Sequence, residues 1–316
     1  MIIIKNYSEK TLVLFILLFG IFSTGLHAQT EPMYSQYMYN MLSVNPAYAG
    51  NRGVLNLNSF YRKQWVGIPG APETKSISLD GPLNERGLGF GVQLFDDRLG
   101  VEKVTGINTM LSTQVKVSET GVLSAGLLAG LMNYRTDLTQ VENRFNPSDP
   151  SFSQNYNKWM ASVGIGLFYN TDRFYLGASI PNVLKSRLAT FDMIQSGIQN
   201  VDDYHLFITS GIVLELNEDV KIKPSTMFKM VSGAPIEFDL NTNVWVKDMV
   251  GFGVSYRTGD AVLGMLELQA TKKLRFGYAY DTPISDLRGT TSGSHELLIR
   301  YEFGRNNLNI KSTRYF

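Results

Sequence analysis

Few side chains in this sequence could do covalent chemistry. Beyond the N-terminal apolar segment there are two histidines, His205 and His295, and the chain has no cysteine. Neither histidine lies in a metal-binding spacing such as HExxH, and no Gly-x-Ser-x-Gly elbow or phosphate-binding glycine loop is present. A histidine acting as a general base beside a serine is the enzymatic alternative to a histidine in a structural wall or rim. We predict no catalytic residue, no metal and no cofactor.

The charged side chains that stand out are arranged for pairing. Lys229 and two further lysines share the polar face of one candidate strand, and Glu237 and Asp239 share that of the next. A turn between the two strands would set Lys229 opposite Glu237 and Met227 opposite Asp239. Cross-strand pairs of opposite charge contribute roughly 0.2–1 kcal/mol each. A charged lumen that conducts ions is the alternative interpretation.

Strands must position these side chains, and strands are what the hydrophobic pattern predicts. EFDLNTNVWV places Phe238 and Leu240 on one face and Asp239 and Asn241 on the other. About fourteen such stretches follow one another, each near the length of about 9–11 residues with which a tilted strand crosses a bilayer. We therefore predict an all-β fold, a transmembrane β-barrel of the outer membrane with about 14 antiparallel strands. It would span residues 51–303.

The links between these strands are sorted by length. Every second link is tight, whereas the others include the long ones at residues 135–158 and 181–203 and the stretch DDRLGVEK. Outer-membrane barrels have short periplasmic turns and longer external loops, so the pattern predicts that both chain ends lie in the periplasm. A soluble β-sandwich or propeller is the alternative, but its apolar face would need a second apolar face to pack on.

The N-terminus predicts export. Lys5 and Lys10 precede an apolar run and Ala28 offers a cleavage site, so residues 1–28 are interpreted as a cleaved signal peptide. The apolar run is shorter than the roughly 20 residues of a transmembrane helix, although a retained anchor is the alternative. The net charge of +1 suggests no nucleic acid as a partner. We expect outer-membrane lipid around the barrel.

Nine short stretches, in order through nearly the whole exported chain, carry a resemblance to a known family. They include YSQYMYN, NPAYAG, YRKQWVGIPGAPET, GAPIEFDLNTNVW, RFGYAYD and GSHELLIRYEF. Together they resemble the PorP/SprF family of outer-membrane proteins, which belong to the type IX secretion system of Bacteroidetes. The resemblance implies a non-enzymatic protein of secretion and gliding motility that anchors an adhesin-type secreted surface protein through its C-terminal domain. It equally implies contacts with other secretion components and with periplasmic, peptidoglycan-associated proteins. An outer-membrane porin or uptake channel is the alternative.

Residues 29–50 do not alternate, and we interpret them as a short helical plug segment inside or under the barrel mouth. The predicted contact residues are Tyr34, Tyr37, Met38, Met41, Pro46 and Tyr48. The first four have the spacing of one helical face, and the residue before Pro46 avoids the helical region. A short strand or coil packed on the first hairpin is the alternative.

Two further sets of residues complete the predicted sites. The polar network of the lumen and rim comprises Arg62, Lys229, Glu237, Asp239, Arg257, Asp281 and Glu296. A closed barrel has no edge, so the first strand must pair with the last, which would bring Arg62 and Glu296 together as an ion pair. The predicted partner-binding residues of the long external loops are Phe145, Phe152, Tyr156, Trp159, Leu184, Phe191, Met193 and Ile194.

The polar faces also carry ten glycines, which would allow tight curvature and leave room in the lumen. Because Asn241 faces the lumen, an arginine there is expected to cost much less than one at the lipid-facing Leu240, where it should cost about 2–4 kcal/mol. Residues 304–316 form a tail without alternation, which is expected to lie in the periplasm. The tail either docks a partner there or is disordered.

Overall fold

The computed structural model describes residues 34–140, 153–185, 205–231 and 235–304. Short 3-10 turns occur at Tyr37–Tyr39, Met41–Ser43, Pro46–Tyr48 and Leu138–Gln140. The strands are β1 (Asn56–Lys63), β2 (Glu73–Pro82), β3 (Leu88–Leu99), β4 (Glu102–Lys116), β5 (Val122–Thr136), β6 (Tyr156–Asn170), β7 (Phe174–Lys185), β8 (His205–Ile212), β9 (Leu214–Glu215), β10 (Val220–Val231), β11 (Glu237–Val246), β12 (Val250–Arg257), β13 (Ala261–Gln269), β14 (Leu274–Pro283) and β15 (Ser294–Glu302). Within the described ranges no helix has both the length and the apolar character needed to cross a membrane.

The strands alternate as the sequence predicts. On β11 the side chains of Asp239, Asn241 and Asn243 are buried, whereas Phe238 and Leu240 are exposed. Successive side chains of a strand point to opposite faces. Polar side chains therefore face inward and apolar side chains outward, which is the arrangement of a barrel surrounded by lipid.

The sheet closes on itself, and the predicted barrel is confirmed. Each strand pairs antiparallel with its neighbours, β1 pairs with β15, and β10 pairs with β11. The short strand β9 continues β8 in the same register against β10, so the two form one barrel strand and the wall has fourteen. In the described part of the chain every barrel strand therefore has a neighbouring strand on each side, as lipid requires.

The interruption between β8 and β9 has a cause in the opposite strand. The ladder to β10 pairs Ser225 with Gly211 and Ile222 with Leu214, but it omits Pro224. Proline has no amide hydrogen to donate to a ladder. On its other side Pro224 stays paired with Thr242 of β11, so the wall remains continuous.

The two rims of the barrel differ. At one rim, here the tight-turn rim, the links are residues 83–87, 117–121, 171–173, 216–219, 247–249 and 270–273. At the other, the long-loop rim, they are residues 64–72, 100–101, 137–155, 186–204, 232–236, 258–260 and 284–293. Every link longer than five residues lies at the long-loop rim. The tight-turn rim also receives the start of β1 and the end of β15.

One predicted link is wrong. DDRLGVEK is not a loop, because β3 continues to Leu99 and β4 begins at Glu102. Gly100 has a φ of 58°, the left-handed conformation that glycine adopts readily and that lets so short a link close.

Candidate functional site: the N-terminal segment in the lumen

The lumen of the barrel contains the chain's own N-terminal segment, residues 34–53. The segment folds into three successive 3-10 turns, and the side chain of Asn45 accepts a hydrogen bond of 2.9 Å from Ala47 N at the start of the third. Asn40 and Asn45 have extended φ angles of -136° and -139°, which separate the turns. The predicted single helix is therefore wrong, because the chain leaves helical geometry at both asparagines.

The predicted contact residues of this segment are buried on every side. Tyr34, Tyr37, Met38, Met41, Pro46 and Tyr48 are all buried. The residues between them are buried as well, including Ser35 and Gln36, except for the half-buried Ser43, so the stretch from Tyr34 to Tyr48 has no solvent face. A helix on the surface would bury one stripe only, whereas a segment enclosed by a wall buries all of its faces. Packing on the first hairpin alone is thereby contradicted.

Glycines of the inner wall make room for this segment. A Cβ at Gly126 on β5 would overlap the backbone of Pro46 and Ala47, and one at Gly89 on β3 would overlap Ala49. Backbone can approach backbone this closely only where a side chain is missing. The lumenal glycines therefore do more than allow curvature, because the backbone of the segment packs directly against them.

Polar groups of the wall bind the segment from several directions. Asn241 and Asn243 of β11 donate to the hydroxyl oxygens of Tyr37 and Tyr39, each at 2.7 Å. Across the lumen, Ser112 of β4 donates to Ala49 O at 2.6 Å.

A second set of contacts comes from β6 and β7. Asn45 donates from its side chain to Leu167 O at 2.9 Å, and Ser179 donates to Val44 O at 2.6 Å. Several donors and acceptors of the segment are thus bound by strands on opposite sides of the barrel, which holds it in one place.

A buried charged centre holds the segment near the long-loop rim. The carboxylate of Glu296 accepts the backbone N–H of Ser35 at 2.7 Å and that of Gln36 at 2.8 Å. Arg62 contacts Glu296 at 3.3 Å and Asp281 at 2.8 Å, and the hydroxyl of Ser35 donates to Asp281 at 2.7 Å. The register pairs Arg62 with Glu296, so the ion pair predicted from closure is confirmed.

Another set of contacts holds the segment at the tight-turn rim. Arg52 forms an ion pair of 2.7 Å with Glu302, the last residue of β15. The backbone N–H of Gly50 donates to Asp80 at 3.3 Å, and Asn56 donates to the same carboxylate at 3.0 Å. The segment is therefore tied to the wall near both rims.

The rest of the predicted polar network joins strands of the wall to one another. Arg257 of β12 donates to Asp239 of β11 at 3.0 and 3.2 Å and contacts Glu237 at 3.5 Å and Asp260 at 3.2 Å. The register sets Lys229 opposite Glu237, as predicted.

A group of buried charges in the lumen was missed as a site, although the alternation had put it on the inner face. Lys223 Nζ lies 6.0, 5.9 and 5.7 Å from the ring centroids of Tyr39, Tyr175 and Trp245, a cation–π arrangement. Glu267 accepts from Trp245 at 3.1 Å and pairs with Arg275 at 2.5 Å. The signal was a lysine and an arginine on the polar face, but two of the aromatic rings around Lys223, those of Tyr39 and Tyr175, lie far away in sequence.

The family of the chain is decided by a match to most of its length. The sequence profile described as "Type IX secretion system membrane protein PorP/SprF" matches residues 26–301. The chain belongs to this family. It is a type IX secretion system membrane protein with the fold of an outer-membrane β-barrel. No curated protein matches the chain.

Several solved barrels are similar to this PorP/SprF protein in fold. The outer membrane protein Omp33 of Acinetobacter baumannii is 10% identical, with 79% of this chain and 100% of that chain covered and a TM-score of 0.44. The toluene transporter TbuX of Ralstonia pickettii is 10% identical, with 84% and 93% covered and a TM-score of 0.48. The CymD monoaromatic hydrocarbon channel is 13% identical, with 85% and 92% covered and a TM-score of 0.48. At such identities and scores these similarities carry no argument about function.

Three of the predicted partner-binding residues of this PorP/SprF protein lie in the wall. Tyr156 and Trp159 belong to β6 and Leu184 belongs to β7, so the prediction that they are loop residues is wrong. The β5–β6 ladder continues to the pair Thr136 and Tyr156, which carries these aromatic residues into the sheet. Trp159 is 63% exposed on the outer face, where tryptophan suits a membrane–water interface. Phe145, Phe152, Phe191, Met193 and Ile194 lie outside the described residues.

The two histidines lie in different surroundings. His295 contacts Tyr278 through Nδ1 at 2.6 Å on the outer face, and His205 is buried beside Phe207. Among the described residues, no group of three or more His, Asp or Glu side chains could hold a metal ion.

Asn241 faces the lumen, as predicted, but it is 4% exposed and donates to Tyr37, so the lumen beside it is occupied. The smaller cost of an arginine at this position stays a prediction. The described chain does not start at the rim where β15 ends. Ser35 lies beside Glu296, opposite the penultimate residue of β1 at the long-loop rim, whereas β15 ends at the tight-turn rim.

Proposed function

We propose that this PorP/SprF protein is a sealed, non-enzymatic outer-membrane barrel that anchors a secreted surface protein through that protein's C-terminal domain. In this proposal residues 51–303 form the barrel and residues 29–50 form the plug. The long-loop rim faces the cell surface and the tight-turn rim, with the tail 304–316, faces the periplasm. The barrel then holds its cargo outside the membrane without providing a passage through it.

The filled lumen is the observation that carries this proposal. Met38 and Met41 are 0% exposed between the wall strands, and the polar groups of the segment are bound on opposite sides of the barrel. A diffusion porin or uptake channel needs a continuous path of water, and a barrel of this size without a plug would lie between those that fill their own interior and those that leave a channel. The packed segment therefore favours a closed anchor over the porin alternative.

The difference between the rims supports the assignment of the binding surface. Every link longer than five residues lies at one rim, and long links in compact folds are usually functional. Phe145, Phe152, Phe191, Met193 and Ile194 are the apolar residues that we propose for contact with the secreted protein. Tyr156, Trp159 and Leu184 are removed from this set, since they belong to the wall.

The other proposed partners belong to the opposite rim. Membership in a type IX secretion family implies association with other components of that system. We assign contacts with periplasmic, peptidoglycan-associated proteins to the tight-turn rim and the tail. The protein itself does no chemistry in this proposal: the carboxylates described above are engaged in ion pairs and hydrogen bonds with wall and segment.

Loop exchange tests the anchoring proposal. Residues 141–152 and 187–202 are replaced by short Gly-Ser linkers, and the matched control replaces residues 286–291 in another link of the same rim. The two-loop variant is expected to fold, by heat-modified gel mobility, and to release the secreted protein from the cell surface into the medium. The control keeps the secreted protein attached. If the secreted protein stays fully attached to the two-loop variant, the assignment of the long links as its binding surface is contradicted.

A further inference from the structure

The basic side chains on the outer face of the barrel lie on one side of it. On β8–β15 every lysine and arginine occupies a position of the inner face. On β1–β5 the outward positions carry basic residues only among the last three residues of each strand at the long-loop rim: Lys63, Lys75, Arg98, Lys103 and Arg135. The outer surface at this rim therefore combines a basic side with a side that has no basic strand residue.

One row of directly opposed side chains crosses this basic side, here called the basic row. It comprises Lys63, Glu73, Arg98, Lys103 and Arg135, each opposite the next in the register of β1–β5. Like charges that lie directly opposite each other on one face of a sheet are destabilising. Lys103 has such a neighbour on both sides, Arg98 and Arg135, so this part of the row favours an anion beside it.

The carboxylates that contact the basic side chains are fewer than the basic groups. Arg135 pairs with Asp137 at 3.2 Å. Two other carboxylates are each shared by two basic side chains: Glu73 by Lys63 at 3.8 Å and Lys75 at 2.7 Å, and Asp96 by Arg98 at 3.1 Å and Lys103 at 3.0 Å. The five basic side chains are between 41% and 57% exposed. An excess of positive charge is therefore accessible from outside the barrel.

An apolar row follows on the same face, four residues further from the rim on β2–β5. It consists of Ile77, Leu94, Ile107 and Leu131, which are opposed in the register and exposed. From the rim downwards the surface thus presents positive charge first and hydrocarbon second. A phosphate-bearing lipid has the same order, with the phosphate above its acyl chains, whereas an acidic soluble protein has no acyl chain for the lower row.

We propose that the basic row binds the phosphate headgroups of membrane lipids in the leaflet at the long-loop rim. Arg98 and Arg135 donate to their aspartates through Nε, and a guanidinium has further N–H donors on its two Nη atoms that match phosphate oxygens. A phosphate at Lys103, between the two arginines, offsets both like-charged contacts. The site requires only a lipid leaflet at this rim, so it is independent of the proposed anchoring and of which rim faces outward.

Lipid titration of the purified barrel by native mass spectrometry tests the proposal. One triple variant removes the centre of the row: Arg98→Gln, Lys103→Gln and Arg135→Gln. The matched control makes the same change of net charge at exposed positions in links of the tight-turn rim: Arg86→Gln, Lys247→Gln and Lys272→Gln. Each barrel is checked for folding by gel mobility and mixed in neutral detergent with lipid A, which carries phosphates, or with dephosphorylated lipid A.

The wild type and the control are expected to bind lipid A about tenfold or more tightly than the triple variant, because the attractions of several Lys and Arg side chains to an anionic lipid add up. Lys103→Gln alone should fall between them, and it keeps the test decisive if the triple variant folds poorly. Dephosphorylated lipid A should bind all the barrels equally. Equal binding of lipid A by the wild type and the row variants, or an equal loss in the control, would overturn the proposal.

Two competitors separate a lipid from other anions. Inorganic phosphate, at the same concentration of phosphate groups, should leave lipid A bound to the wild type. Complete displacement would assign the row to the free ion and overturn the proposal. Binding of a polyglutamate peptide by a wild-type barrel that does not bind lipid A would assign the surface to an acidic protein, which would also overturn it.

Discussion

Two buried charged centres line the long-loop half of the lumen, one around Arg62 and the other around Arg257. Both combine an arginine with at least two carboxylates, and both arginines are nearly inaccessible. At Arg62 the carboxylates also accept backbone N–H groups and a hydroxyl from the N-terminal segment. At Arg257 the partners Asp239 and Glu237 lie on the neighbouring strand and Asp260 in the adjoining link.

Because only the Arg62 centre contacts the N-terminal segment, the two centres have different roles. The Arg257 centre joins wall strands that are already hydrogen-bonded neighbours, so its loss weakens the barrel locally. The Arg62 centre joins the wall to a segment more than 200 residues away in sequence from Glu296. Loss of the Arg62 centre is expected to free the segment and open the lumen. Loss of the Arg257 centre is not expected to do so.

The largest effect is expected for Glu296→Ala. Removing one partner of a buried ion pair typically costs about 3–5 kcal/mol, and here two backbone N–H groups also lose their acceptor. Urea titration in detergent should show this loss of stability, and planar-bilayer recording should show a new conductance. A variant as stable and as silent as wild type would contradict the role of the Arg62 centre.

Asp239→Ala is expected to have a smaller effect of a different kind. Arg257 keeps Glu237 and Asp260 as partners, so the loss is that of hydrogen bonds to a charged group, about 1.5–3 kcal/mol. The same urea titration measures it. Because the segment keeps its own contacts, no conductance should appear, and conductance equal to that of Glu296→Ala would erase the distinction between the centres.

Ser35→Ala sharpens the comparison by removing one group of the segment. The hydroxyl that bridges Arg62 and Asp281 is lost, while both backbone N–H contacts to Glu296 remain. Hydrogen bonds to charged groups contribute about 1.5–3 kcal/mol, and Arg62 and Asp281 stay paired with each other. We therefore expect a destabilisation no larger than that of Asp239→Ala, with a closed lumen. Opening of the lumen in this variant would show that the hydroxyl, and not the backbone contacts, holds the segment.

The smallest effect is expected for Asp260→Asn at the edge of the Arg257 centre. This carboxylate is 39% exposed, and ion pairs open to solvent contribute about 0–1 kcal/mol. Stability should remain within the error of urea titration. A loss of stability as large as that of Asp239→Ala would mean that the exposed carboxylate of Asp260 contributes as much to the centre as the buried Asp239.

The wall and its register could be predicted from the sequence because the signals are local. Period-two alternation marks each strand, and closure of an even number of strands then pairs Arg62 with Glu296. The turn between β10 and β11 likewise fixes Lys229 opposite Glu237. Neither inference needed knowledge of what fills the lumen.

The contents of the lumen could not be predicted in the same way. The contacts of Tyr37 with Asn241 and of Ser35 with Glu296 span more than 200 residues, and no local pattern encodes them. Glycines on the polar face are a signal in the sequence, but curvature explains them equally well. Only the structure places Gly126 against the backbone of Pro46. The link between β5 and β6 was predicted too long for a related reason. The pairing of these two strands continues beyond the stretch that alternates in sequence, and it includes Trp159.

Conductance with and without the packed segment tests the central claim most directly. In planar bilayers the wild-type barrel should show no steady conductance, because residues 34–53 fill its lumen. Replacement of residues 34–44 by a Gly-Ser linker of equal length leaves β1 and the Arg52 contact in place and should produce an open channel. A wild-type barrel that conducts as well as this variant would contradict the account.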